Sequence, residues 1–109
     1  MKILQTKISD KENSIKYVLD IDGEIVGCGY IINRDINPIE VYIDKQHQSN
    51  GYGKSLFLSL LDIVRQRGVK GMIFELPDEQ YRFKNIILQA GAEQLGRNDG
   101  LCKFILKIN

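Results

Sequence analysis

The chain passes from an alternating apolar segment, Ile39-Glu40-Val41-Tyr42-Ile43, through Gln48-Ser49-Asn50-Gly51-Tyr52-Gly53-Lys54-Ser55 into a segment with helical spacing. No other stretch restricts the fold as strongly, because here a strand must become a helix within a few residues. Gly51 and Gly53 allow the main chain to turn tightly and to approach a ligand with no Cβ in the way. The first amides of a helix have no intrahelical partner and lie at the positive end of its macrodipole. A pyrophosphate can therefore be cradled at this junction by backbone N–H groups alone.

Spacing separates the Gly-rich loops that could stand here. The Walker A pattern ends as Gly53-Lys54-Ser55 does, but its first glycine falls on Gln48. The dinucleotide fingerprint fits Gly51 and Gly53, then meets Leu56 where the third glycine belongs, and 109 residues leave little room for a doubly wound domain. What remains is Gln-x-x-Gly-x-Gly.

The whole length, residues 1–109, reads as one domain with enough chain for a core without disulfide or metal staples. With 15 Lys+Arg against 14 Asp+Glu, and no run of like charge, the electrostatic footprint of a nucleic-acid binder is missing. Cys28, Cys102 and a single histidine give neither metal-ligand spacing nor a disulfide framework, so no metal is expected and two reduced cysteines in strands are. Neither the apolar core of a signal peptide nor a membrane span is visible, which points to a cytoplasmic protein with no membrane partner.

In order, Lys2 to Ile8 reads as a strand ended by the polar turn Ser9-Asp10-Lys11-Glu12-Asn13. Ile15, Tyr17, Leu19 and Ile21 alternate on one strand face, and Asp22-Gly23 is a two-residue hairpin signal. Glu24 to Ile32 answers as the partner strand, with Val26, Cys28, Tyr30 and Ile32 on one face and Gly27 and Gly29 leaving the other bare for something that packs close. After the loop, Leu56, Phe57, Leu60, Leu61 and Val64 make a helical stripe stopped by Gly68. Met72 to Leu76 is a strand, Pro77-Asp78 opens a second helix with Phe83, Ile86, Ile87 and Ala90 inward and Gly91 at its end, and Leu101 to Ile108 closes the chain as a strand.

The glycine loop with these flanks resembles motif A of the GNAT superfamily of N-acetyltransferases, whose Arg/Gln-x-x-Gly-x-Gly/Ala loop holds the pyrophosphate of acetyl-CoA. The Asp-Gly-Glu-Ile-Val-Gly phrase at 22–27 is similar to the family's second and third strands, and the order of elements matches over roughly residues 14 to 109. The resemblance implies an α/β (α+β) fold: a mixed, mostly antiparallel central sheet of about six strands with two main helices. It also implies acetyl-CoA as co-substrate. Main-chain groups around Val41 and Ile43 would line the pantetheine arm, and Gln48, Ser49, Asn50, Gly51, Tyr52, Gly53, Lys54 and Ser55 would hold the pyrophosphate.

Two departures from the family pattern stand out. Only the five residues after Ile8 replace the two helices that usually wall the acceptor side, so a second copy of the chain is expected to cover the exposed surface as a homodimer. Secondly, the family's last helix often carries a tyrosine that protonates the departing thiolate. Aligned on Gly91, that position is Ile87, with Gln80 and Ala92 replacing the flanking Asn and Phe.

Acetyl transfer needs an amine deprotonated before attack. Glu40 is the first candidate base, since a strand carboxylate facing a partly desolvated cleft gains basicity; Asp44, His47 and Glu75 are the others. Cys28 reads as a core cysteine rather than a nucleophile, and Tyr52 and Tyr81 as weak sources of a phenol. Two functions follow: an acetyl-CoA-dependent N-acetyltransferase acting on a small-molecule or peptide amine by direct attack in a ternary complex, or a non-catalytic CoA-binding protein of the same fold.

Overall fold

The computed structural model describes residues 2–6 and 13–108. Its elements run β1 (Lys2–Thr6), β2 (Ser14–Ile21), β3 (Glu24–Ile32), β4 (Ile39–Ile43), α1 (Tyr52–Gln66), β5 (Gly71–Pro77), α2 (Tyr81–Gln89), β6 (Glu93–Asn98) and β7 (Leu101–Lys107). Lys7, Ile8 and the turn through Glu12 lie outside the described residues, and residues 7–13 alone connect β1 to β2.

The α+β class and the two helices match expectation, and the structure adds a strand. β6 is exposed along its whole length and lacks the apolar alternation that marks its neighbours. α2 begins at Tyr81 rather than at Pro77-Asp78, because Pro77 completes β5 and Asp78–Gln80 form a 3-10 turn before the α-helix. The expected single sheet is divided: β1-β2-β3-β4 form one antiparallel sheet and β5-β7-β6 another.

What joins and what parts them is local to one residue. Ile36 makes a parallel bridge to Ile73, and the Asn37 N–H donates to Ile73 O at 2.9 Å. The Asn37 side chain then takes both main-chain groups of Glu75, donating from Nδ2 to its O (3.0 Å) and accepting at Oδ1 from its N–H (2.9 Å). Asn37 adopts φ 54°, a left-handed conformation that Asn tolerates better than most residues. Its primary amide thus stands where a peptide of β4 would have paired with β5, and beyond it the two strands separate.

The β2–β3 and β3–β4 registers place Tyr17, Gly29 and Val41 in one row and Leu19, Gly27 and Ile43 in the next. α1 lies on this face. A Cβ at Gly29 would stand 2.6 Å from Leu60 Cδ1, so the bare glycine face is where the helix makes its closest approach. Leu56, Phe57, Leu60, Leu61 and Val64 are all buried there, joined from the second sheet by Phe74 and Phe104. Three aromatic rings tie the layers together: Phe57 of α1, Phe74 of β5 and Phe83 of α2 stand with centroids 5.6 to 6.2 Å apart.

Candidate functional site

The gap between β4 and β5 is a cavity of about 690 Å³, floored by Asn37 and closed at the far end by the glycine loop and α2. Its β4 wall is set by hydrogen-bond parity. Ile32 N–H donates to Pro38 O and Asp44 N–H to Val26 O, which bracket the β3–β4 ladder. In an antiparallel ladder the bonded pairs alternate, so Glu40 and Tyr42 exchange main-chain bonds with β3 while Ile39, Val41 and Ile43 turn theirs toward the cavity. The Ile43 carbonyl is already taken by Gln48 Nε2 at 3.1 Å.

At the loop, Ser49 (φ 69°) and Gly51 (φ 78°) are both left-handed, which folds the chain so that α1 starts at Tyr52. Ser55 N–H donates to Gly51 O at 3.0 Å, so Ser55 belongs to the helix ladder, whereas the preceding amides have no such partner within the helix. Among the residues expected to hold the cofactor, Val41, Ile43, Gln48, Ser49, Gly51, Tyr52, Gly53 and Lys54 line the cavity. Asn50 turns its side chain to His47 O at 3.1 Å.

Glu40 lines the cavity at its other end and is held on both oxygens. Arg34 Nη2 donates to Oε2 at 2.9 Å, and the Tyr42 hydroxyl donates to Oε1 at 3.1 Å. Arg34 is itself fixed by Nε donating to Asn37 O at 2.9 Å, so the residue that opens the cleft also anchors the clamp on its candidate base. Burial, then the Glu40 charge and its hydrogen bond, hold the Tyr42 phenol above the ordinary tyrosine value. It stays protonated, and a donor, at neutral pH. Glu75 lines the same end from β5.

The remaining candidates sort by position. His47 lines the cavity but has its Nε2 2.8 Å from Glu24 Oε2, so it is oriented from the start of β3. Cys28 lies half-buried across from Tyr42 in the β3–β4 register, and both cysteines are free. Tyr81 is exposed, with the Arg82 guanidinium over its ring. Ile87 is 0% exposed, sealed in the core. Sequence reasoning missed Arg34, Asn37 and Arg82, each of which acts through a partner on another element or turn, and Tyr42, whose partner Glu40 lies two residues away on the same strand.

Residues 2–83 match the model of the Acetyltransferase (GNAT) family. No curated protein matches the chain by sequence. Among solved structures, a Bacillus subtilis acetyltransferase in complex with CoA superposes with a TM-score of 0.79 at 10% identity, covering 99% of both chains. The Salmonella typhimurium protein yncA, with its cofactor acetyl-CoA, gives 0.69 at 19% identity, over 88% of this chain and 65% of that one. A ribosomal-protein-alanine N-acetyltransferase from Brucella melitensis gives 0.67 at 17% identity, over 86% of this chain and 68% of its own.

Proposed function

Because the chain belongs to the Acetyltransferase (GNAT) family, we propose that it transfers the acetyl group of acetyl-CoA to an amine by direct attack within a ternary complex. The observation that carries this reading is the division of labour along one cavity. Free helix-start amides lie at one end, an unpaired strand edge runs along it, and a clamped carboxylate sits at the other. The pyrophosphate sits on the amides of Gly51 to Lys54, and the pantetheine arm runs along Val41 and Ile43.

In the reaction the amine nitrogen attacks the thioester carbonyl carbon; the C–N bond forms, the C–S bond breaks, and its electron pair leaves on sulfur. The proton given up by the amine goes to Glu40. A carboxylate has about four lone-pair positions, so the bonds from Arg34 and Tyr42 orient Glu40 without filling it. Buried Ile87 has no proton to give the thiolate, which is a tolerable leaving group by itself. The free cysteines suit a reducing cytoplasm.

The cofactor assignment is tested by thermal melting. Acetyl-CoA at a hundredfold excess over its Kd should stabilise the fold by about 2.7 kcal/mol. Valine at Gly51 would be strained at φ 78°, and at Gly53 even the Cβ would meet Ile86 Cδ1 at 3.3 Å. Either substitution should remove the shift; a folded valine variant that binds as well as the parent would exclude this loop as the site.

A second reading, a CoA-binding protein without turnover, is favoured by the loss of the tyrosine at Ile87. It predicts acetyl-CoA binding with no CoA released to any amine. For either reading we propose a homodimer, since residues 7–13 are too few to wall the acceptor side. Sedimentation velocity at micromolar concentration should show a species of twice the chain mass, and a lone monomer peak would rule the dimer out.

A further inference from the structure

The first fixed position of the loop, Gln48, carries no charge, and the structure shows its side-chain amide bonded at both ends. Its Nε2 donates to Ile43 O at the end of β4, and its Oε1 accepts from Arg82 Nη1, which reaches across from the first turn of α2. Arg82 lines the same cavity as Gly51, Gly53 and Lys54, and no carboxylate is bonded to it among the described residues. Its other described contact is the Tyr81 ring, 5.8 Å from the guanidinium carbon. A guanidinium with no anionic partner, held by a neutral amide oxygen beside open helix-start amides, is an arginine parked on a weak acceptor. Carboxylates and phosphates are the acceptors its planar fork suits.

We infer that Arg82 is a cofactor-phosphate ligand supplied by α2, which gives the uncharged loop the cation its own first position lacks. This rests on the acetyl-CoA reading of the site. In the free chain the guanidinium rests on Gln48 Oε1; when the cofactor enters, a phosphate oxygen replaces that carbonyl oxygen, and Gln48 keeps its bond to Ile43 O. The exchange trades a neutral acceptor for an anionic one, so binding gains where a permanently paired arginine would give none. The phosphate is either the pyrophosphate or the ribose 3′-phosphate of CoA.

Titration calorimetry with CoA and with dephospho-CoA, on the parent, Arg82→Gln and Arg82→Lys, tests this. Thermal melts without ligand confirm that each variant is folded. Arg82→Gln should weaken CoA binding by roughly tenfold to a hundredfold and flatten its salt dependence, as expected for the loss of a charge-assisted bond. Arg82→Lys should restore part of both. An equal loss for CoA and dephospho-CoA assigns the contact to the pyrophosphate, and a loss confined to CoA assigns it to the 3′-phosphate. A folded Arg82→Gln that binds CoA within about twofold of the parent, with an unchanged salt slope, overturns the inference. Failure of the parent to bind CoA instead overturns the cofactor reading, and the inference with it.

Discussion

Glu40→Gln should lower amine-dependent release of CoA from acetyl-CoA by about a hundredfold to ten-thousandfold, the usual loss when a positioned base is removed. Affinity for acetyl-CoA should stay nearly the same, because in the proposed reaction the carboxylate acts on the amine in the transition state while the proposed cofactor site is loop and strand backbone. Glutamine keeps the size of Glu40 and one oxygen for Arg34 or Tyr42, so the clamp loosens without collapsing. The same substitution carries an internal check. The negative charge of Glu40 helps hold the Tyr42 phenol above its ordinary value, so neutralising residue 40 should let Tyr42 ionise at lower pH in an ultraviolet titration. Equal rates for parent and variant, with that Tyr42 shift present, would remove Glu40 from the chemistry while proving that the charge at residue 40 had been lost from its place beside Tyr42.

Phe57→Ala should cost about 3–5 kcal/mol of stability, the range for emptying a fully buried aromatic site. A domain has roughly 5–15 kcal/mol in total, so the variant stands near the edge of folding at 37 °C. Phe57 is 0% exposed and is the ring through which α1 meets both Phe74 of β5 and Phe83 of α2. Removing it leaves a void where the helix bearing the loop joins the helix bearing Arg82, so cofactor affinity should fall as well. Urea denaturation measures the first effect and calorimetry the second. A stability loss below about 1.5 kcal/mol would mean that Phe74 and Phe83 collapse into the space, contrary to the usual partial relaxation of cores.

The parts of this fold legible in the sequence are those written in short range. Asp22-Gly23 forms its turn with both residues at positive φ, the conformation that makes the pair a hairpin signal. The α1 stripe is buried at all five expected positions. Gly27 and Gly29 marked a close approach, and the helix makes it. β6 escaped because all six residues are exposed and no period is left to read; its one local trace is Asp99-Gly100, another turn with both residues at positive φ. The division of the sheet and the clamp on the candidate base both depend on Asn37, whose partner Glu75 lies 38 positions away. Arg82 and Gln48 are 34 positions apart. Neither residue type is unusual in a polar turn or on a helix surface, so composition and spacing say nothing of contacts that only the folded chain creates.

Asn37 has a meaning for how a bound chain is read. An unpaired strand edge is a template for any backbone that comes alongside it, and a cleft between two parted strands would ordinarily offer two. Here the edge of β5 is quenched at Glu75 by a side chain that mimics a peptide, while the edge of β4 at Val41 stays open. In the proposed site, recognition in the cleft is therefore one-handed. An amide-bearing arm can augment the first sheet and not the second, so the direction and the face it presents to Glu40 follow from β4 alone. The residue that unzips the sheet also decides which of the two freed walls a ligand may lengthen.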